Sequence, residues 1–468
     1  MNLLTDTIAA VATPPGEGGI AVIRVSGPNA IAIADDCFRG RRTLGSVPTH
    51  TAHAGEIVSV GGTAVDQVIC TVFRAPHSYT GEETVEVSCH GGVLVTQLVL
   101  ETLLASGARH ARPGEFTQRA FLNGRMDLSQ AEAVADLIHA HSDMAHRASI
   151  QQLRGSLLKS VEALRQELMD SASLIELELD FVDDGYEFKD KRLLLSQIEN
   201  TVARLDELAS SYRFGRVWRE GVSVVITGSP NVGKSSLLNA LLNTERAIVT
   251  DIPGTTRDFI EESVNLEGIQ FRLTDTAGLR TAQDPIETEG VDRAVHLSAE
   301  ADIVLFVLDQ SKAMTQEEAR WLRLHARERG PFRKNTIIIL NKSDLLPHPD
   351  SLPTRLLDLL PRMSVLRVSA TSGAGLHDLK ATLTDLVKSG TRSADIEKVI
   401  VTNSRHYDAL TRAKAHLELC RVSLNEGRSG EFVAIDLRTA LDCLGEITGV
   451  VTTEDILNNI FSRFCIGK

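Results

Sequence analysis

A chain of 468 residues with 49 basic and 62 acidic side chains, net charge −13, has room for about three domains and is too acidic to hold nucleic acid by phosphate neutralisation alone. Aromatic residues make up only 4%, which argues against a base-stacking platform, and no apolar run reaches the ~20 residues a membrane-spanning helix needs. Six cysteines (Cys37, Cys70, Cys89, Cys420, Cys443, Cys465) without ligand or disulfide spacing, and a polar start MNLLTDT with no basic-then-apolar leader, point to a reducing cytoplasm.

Residues 1–125 mix strand-like runs (GIAVIRVSG, VDQVICTVF) with a helical stretch GVLVTQLVLETLLASG, the texture of an α+β domain. PPGEGG at 14–19 is glycine-rich but lacks a following GK[ST], so it reads as a hairpin or loop. From 126 to 218 the chain turns helical. Ser129 and Glu132 have capping-box spacing, and Ile150, Leu153, Leu157, Val161, Leu164, Leu168, Ala172, Ile175 and Leu179 keep one apolar stripe on a single long helix. Leu195, Ile198, Val202, Leu205 and Leu208 continue the pattern.

Between 219 and 388 the runs VSVVITG, FRLTDT, ADIVLFVLD, NTIIILN and SVLRVSA alternate with helical segments, as in a parallel sheet with helices on both faces. Helical texture returns at 389–468, with Leu410, Ala413, Leu417, Cys420 and Leu424, then Ala434, Leu437, Leu441 and Leu444. The expected architecture is therefore multidomain, with an α/β domain inserted into a discontinuous helical domain whose halves pack together to bury their stripes.

The inserted domain carries the chemistry. GSPNVGKSS, Gly228 to Ser236, lies between a strand and a helix: the amides of Asn231, Val232, Gly233 and Ser236 can cradle phosphates, Lys234 can reach the outer ones, and the Ser235 hydroxyl suits Mg²⁺. DTAG follows a strand; Asp275 suits the Walker-B carboxylate, and Thr276, Ala277 and the Gly278 amide lie beside the γ-phosphate. NKSD, with Asn341, Lys342 and Asp344, reads guanine, because a carboxylate can take both donors of its Watson–Crick edge; Ser369 and Ala370 add a backbone amide for the guanine oxygen. These motifs select GTP.

The segment Thr250, Asp251, Ile252, Pro253, Gly254, Thr255, Thr256 offers Thr256 as a second Mg²⁺ ligand and a run of free carbonyls. Asn231 either joins those carbonyls around a monovalent cation or serves local turn hydrogen bonds. Leu279 stands where Ras-type proteins place the water-orienting glutamine, so hydrolysis needs another residue.

The chain resembles the MnmE (TrmE) family of tRNA-modification GTPases over nearly its whole length. The match runs through TIAAVATPPGEGGIAVIRVSG, SYTGEETVEVSCHGG, ARPGEFTQRAFLNGRMDLSQAEAVADLI, the GTPase motifs and FCIGK. The resemblance implies an N-terminal folate-binding and dimerisation domain (1–125), a helical domain (126–218 and 389–468) and an inserted Ras-like P-loop GTPase domain (219–388). It further implies a potassium site at Asn231, Thr250, Ile252 and Thr255, and a catalytic Glu287 that acts through a second water; from the residues alone Glu287 is an exposed loop carboxylate. Folate contacts carry over to Arg24, Glu86, Arg125 and Lys468, with arginine at 125 where the family has lysine; no lysine precedes Lys159.

The implied activity places an aminomethyl or carboxymethylaminomethyl group on C5 of the wobble uridine of certain tRNAs. A 5-formyl- or methylene-tetrahydrofolate would supply the carbon, and the FAD-dependent MnmG (GidA) would join the homodimer in a heterotetramer. A ribosome-assembly GTPase and a GTP-gated scaffold without RNA chemistry are the alternatives. In the tail, Cys465 is either a nucleophile toward uridine C6 or, with Phe464 and Ile466, packing; Lys468 is the part that would touch folate, and a C-terminal extension is expected to disable the site.

Overall fold

The computed structural model describes residues 6–180, 191–243, 261–275, 297–298, 301–327, 335–345, 364–391 and 399–468. These form two compact units, one of Met1–Ile138, Ile150–Asp206 and Asp408–Lys468, the other of His139–Ser149 and Glu207–Tyr407.

The first unit opens with strands β1 (Ile8–Val11), β2 (Gly18–Ser26), β3 (Phe38–Gly40), β4 (Thr51–Val58), β5 (Ala64–Phe73), β6 (Thr84–Gly91) and β7 (Arg109–His110), and helices α1 (Ala30–Cys37), α2 (Val93–Ala105) and α3 (Glu115–Leu122). The strands make one sheet in the order β3-β4-β5-β6-β2-β1-β7, antiparallel except for the β1–β7 pair. PPGEGG spans the β1–β2 hairpin connection and the first two residues of β2, as the lack of GK[ST] led one to expect. Period-two alternation sends Ala21, Ile23 and Val25 of β2 and Val85, Val87 and Cys89 of β6 into one core with Val99 and Leu103 of α2. The same alternation turns Arg24 and Glu86, directly opposite each other in register, to the other face.

Helices α4 (Leu128–Ile138), α5 (Asp143–Leu153), α6 (Ser156–Asp180) and α7 (Lys191–Glu220) follow. The cap of α4 differs from expectation. Asp127, not Ser129, takes the first free amides, accepting from Ser129 N at 2.7 Å and Gln130 N at 3.1 Å, while Gln130 Oε1 accepts from Asp127 N at 3.0 Å. The expected single long helix is likewise two: Gly155 at φ +77° ends the run, and Gln130 Nε2 caps the freed Leu153 carbonyl at 2.9 Å. From Leu157 to Ile175 the stripe is buried as its period requires.

In the second unit, β8 (Val222–Thr227), α8 (Lys234–Asn243), β9 (Glu261–Leu266), β10 (Ile269–Asp275), β11 (Ile303–Asp309), α9 (Gln316–Arg327), β12 (Asn335–Asn341), β13 (Ser364–Arg367) and α10 (Leu376–Thr391) build a sheet in the order β13-β12-β11-β8-β10-β9. All its pairs are parallel except β9–β10. All seven residues of β11 are buried, as a strand covered on both faces must be.

The chain closes with α11 (Ser404–Asn425), α12 (Gly430–Thr448) and α13 (Glu454–Phe461). In the first unit α12 packs along α6, joining the two sequence-distant helical halves, and Leu410, Ala413, Leu417 and Cys420 of α11 are fully buried. Among the described residues no helix is long and apolar enough to cross a membrane.

Candidate nucleotide site and N-terminal ligand site

Strand β8 delivers the chain to a tight loop that only glycine fits at two points. A Cβ on Gly228 (φ +146°) would lie 2.3 Å from the Val307 carbonyl, and one on Gly233 (φ +96°) 2.3 Å from Asn341 Nδ2. Lys234, at the first position of α8 and 7% exposed, folds back so that Nζ donates to the Gly228 and Ser229 carbonyls, both at 2.9 Å. The ammonium is thereby held over a helix N-terminus, where amides and macrodipole favour phosphate. Ser235 Oγ donates to Asp275 Oδ2 at 2.7 Å, so the hydroxyl and carboxylate suited to a hard divalent cation sit side by side at the ends of β8 and β10.

The base-reading loop is tied to the phosphate loop. Asn341, 1% exposed, donates from Nδ2 to the Val232 carbonyl at 2.9 Å and accepts at Oδ1 from the Ala370 amide at 3.2 Å. The Ser369 amide donates to Ala374 O at 2.9 Å, so a guanine oxygen would share the Ala370 amide with Asn341. Lys342 takes φ +63° and Nζ donates to Asn231 O and Asp309 Oδ2, both at 2.8 Å. Asp344 lies exposed in the turn Ser343–Leu345, where its carboxylate can meet a ligand's donor edge.

A second cluster lies in the other unit. Arg24 donates from Nε and Nη2 to Glu86 Oε1 at 2.9 and 2.8 Å, and its guanidinium sits over the Tyr79 and Phe116 rings, 5.0 and 5.6 Å from their centroids. Its Nη1 is buried with no hydrogen-bond partner among the described residues. Lys468 Nζ is 5.9 Å from the Tyr79 centroid. Burial, with the nearby Arg24 charge, lowers the Lys468 pKa, and burial raises that of Tyr79, whose hydroxyl lies 2.9 Å from Thr117 Oγ1. The tail reaches this place because Gly467, at φ +100°, passes the Val11 carbonyl where a Cβ would come within 2.1 Å.

Comparison with known proteins places the chain. Residues 7–125 match the family described as the GTP-binding protein TrmE N-terminus, and residues 128–465 match the MnmE helical domain. The chain is 46% identical to the tRNA modification GTPase MnmE of Salinibacter ruber, covering 99% of both chains. The chain belongs to the MnmE family of tRNA modification GTPases. With the MnmE of Christiangramia forsetii it shares 44% identity over 99% of this chain and 100% of that one. The FeoB G domain of Methanococcus jannaschii aligns with 36% of this chain and 98% of its own at 26% identity, TM-score 0.26. The MnmE helical match brackets the parallel sheet, so the GTPase domain is inserted into a discontinuous helical domain.

Of the residues expected from MnmE-like motifs, Asn231, Val232, Gly233, Lys234, Ser235, Asp275, Asn341, Lys342 and Ala370 are brought together by the bonds above, with Ser236 next in α8. Thr250, Asp251, Ile252, Pro253, Gly254, Thr255, Thr256, Thr276, Ala277, Gly278, Leu279 and Glu287 lie outside the described residues. Arg24, Glu86 and Lys468 converge. Arg125 is exposed, its stem lying against Gly81, and among the described residues its guanidinium makes no hydrogen bond or ion pair. Packing of the tail is borne out for Phe464, beside Phe461 at 5.6 Å between ring centroids, and not for Cys465 and Ile466, which are exposed. Gly114 on one side and Gly467 on the other pin the tail's backbone, leaving those two side chains facing outward.

Sequence reasoning missed a buried charge network in PGEFTQR. Arg119 and Glu115 are each 1% exposed and 3.1 Å apart; Arg119 also pairs with Asp6 at 2.6 Å and Glu82 at 3.3 Å, and Glu115 with Arg109 at 2.7 Å. Burial alone would raise Glu115, but bonds from Arg109, the Arg112 amide and Arg119 hold it at about 2. This network fixes α3, which carries Phe116 and Thr117 to the Arg24 cluster. The i,i+4 spacing of Glu115 and Arg119 was the available signal, and it looks like any exposed helix pair.

Proposed function

We propose that this chain is a potassium-stimulated GTPase which, with an FAD-dependent MnmG partner, installs an aminomethyl or carboxymethylaminomethyl group at C5 of the wobble uridine of certain tRNAs, using a tetrahydrofolate one-carbon unit. The observation that carries it is the presence in one chain of two separate sites: a guanine-type phosphate site and a half-buried Arg24–Glu86–Lys468 cluster.

The second site fits a reduced folate. Arg24 and Glu86 neutralise each other, the Lys468 ammonium can donate to a carboxylate, and Arg24 Nη1 is a buried donor with no partner among the described residues. Free lone pairs of Glu86 can accept from a pterin's donor edge, and Tyr79 and Phe116 supply apolar walls. Arg125 stands at the rim across Gly81. When bound, the folate supplies the carbon; the protein's part is to orient it and exclude water.

At the nucleotide site, Ser235 and Thr256 would hold Mg²⁺, with Asp275 orienting Ser235. Asn231, in the left-handed region at φ +63°, would hold a monovalent cation with the carbonyls of Thr250, Ile252 and Thr255, and the ion would supply positive charge where negative charge develops. Leu279 can orient no water, and Glu287 does so through a second water. The exposed apolar side chains Ile20, Val93, Leu94 and Leu98 favour the homodimer. The domains proposed are 1–125, 126–218 with 389–468, and 219–388, and the location is the cytoplasm, where six free thiols, two with pKa pushed by burial up to about 12, stay reduced.

Turnover by the full chain tests the hydrolytic part. GTP hydrolysis is expected roughly tenfold faster in K⁺ than in Na⁺, and Glu287→Ala is expected to slow it ~10²-fold with nucleotide affinity retained. Equal rates in the two salts remove the cation; wild-type turnover in the variant removes Glu287.

A further inference from the structure

Asp309 is a carboxylate that no motif claims. It is the last residue of β11, its side chain is 5% exposed, and a buried carboxylate is retained only where its lone pairs are used. One oxygen is committed locally: Oδ1 accepts from Ser311 N at 3.0 Å and Ser311 Oγ at 2.6 Å, closing the turn after the strand. The other faces Lys342, with Oδ2 accepting from Nζ at 2.8 Å; the exposed Lys312 is more distant at 3.9 Å. Lys342 Nζ also donates to the Asn231 carbonyl at 2.8 Å.

We propose that Asp309 is a positioning residue for guanine-nucleotide binding: acting through Lys342, it ties the base-reading loop to the backbone of the phosphate loop at Asn231. Both peptides it connects need such a tie. Asn231 and Lys342 each sit at φ +63°, a conformation that costs a non-glycine residue about 1–2 kcal/mol and persists only when surrounding bonds over-determine it. Beside the Asn341–Val232 bond, the flexible ammonium of Lys342 is what reaches the Asn231 carbonyl among the described residues, and a lysine stem left to itself has several rotamers. Asp309, rigid at the end of a fully buried strand in the middle of the sheet, selects the rotamer that reaches Asn231. The protein thus sets the spacing between base and phosphate subsites before nucleotide arrives, which lowers the ordering cost of binding.

The inference rests on the GTP-binding reading and deepens it. The test is GDP affinity and GTP turnover of the full chain with Asp309→Asn, an isosteric change that keeps Oδ1 for Ser311 and turns an amide toward Lys342. The dissociation constant for GDP and the KM for GTP are expected to rise about tenfold, with a smaller fall in kcat. In a Lys342→Ala background the same change is expected to add less than twofold, since the bond is already gone. Wild-type affinity in Asp309→Asn, or an equal loss in the Lys342→Ala background, overturns the inference. Should Asp309→Asn melt too low to assay without nucleotide, Lys342→Gln breaks the same bond from its exposed side, and wild-type affinity there overturns it equally. A parent chain that binds no GDP would instead sink the GTPase reading itself.

Discussion

The two sites of this molecule are built in opposite ways. The nucleotide site is assembled from short contiguous motifs, each at the end of a parallel strand, so that sheet order alone brings GSPNVGKSS, Asp275 and Asn341 together. The Arg24 site is assembled from β2, β6 and a tail that returns from residue 468, and none of its segments is a motif by itself. A site of the first kind advertises itself through spacing. The second depends on strand register and on a glycine that lets the tail through, neither of which spacing records.

That contrast can be broken at either end. The largest effect is expected from Lys234→Ala, which removes the ammonium poised over the phosphate loop: GTP turnover should fall by ~10² to 10³-fold, while folate binding, followed by calorimetry with 5-formyl-tetrahydrofolate, should change less than about twofold. A parallel loss of folate binding would mean that the sites are not separate. Next in size is Arg24→Ala, which strips Glu86 of its partner and should weaken folate binding about 10- to 100-fold, leaving GTP turnover in place. Unaltered folate binding would remove the cluster from ligand recognition.

The smallest effect concerns what supports the second site. Glu115 titrates at about 2 in the folded chain against an ordinary 4.5, so its contribution to stability is complete above about pH 4.5 and is lost as pH falls toward 2. Glu115→Gln should lower stability at neutral pH by on the order of 3 kcal/mol and flatten that acid limb. An unchanged acid limb in urea unfolding of the variant would show that the network around Arg119 is not what holds α3 in place.

Much of the fold was legible because its signals are periodic. The buried strands of the second unit read as continuous apolar runs, and the stripe from Leu157 to Ile175 lies where its period puts it. The failures were local competitions. Asp127 won the cap of α4 from Ser129 because its carboxylate accepts from two amides at once, and Gly155 broke a stripe that apolar periodicity alone would have continued. At the sites, the meeting of Lys234, Ser235 and Asn341 could be expected from their motifs. Arg24, Glu86 and Lys468 could be named only through a family likeness, because their meeting is a fact of register. Asp309 was invisible: a carboxylate closing a buried strand looks like the start of any turn, and only its bond to Lys342 distinguishes it.

The central claim is that guanine-nucleotide hydrolysis in this chain serves chemistry on tRNA. Nucleoside mass spectrometry of tRNA from cells lacking the protein, and from the same cells resupplied with it, tests this most directly. The account predicts that C5-aminomethyl and carboxymethylaminomethyl wobble uridines disappear in the first and return in the second, but not with Lys234→Ala. Wobble uridines unchanged by loss of the protein would contradict it.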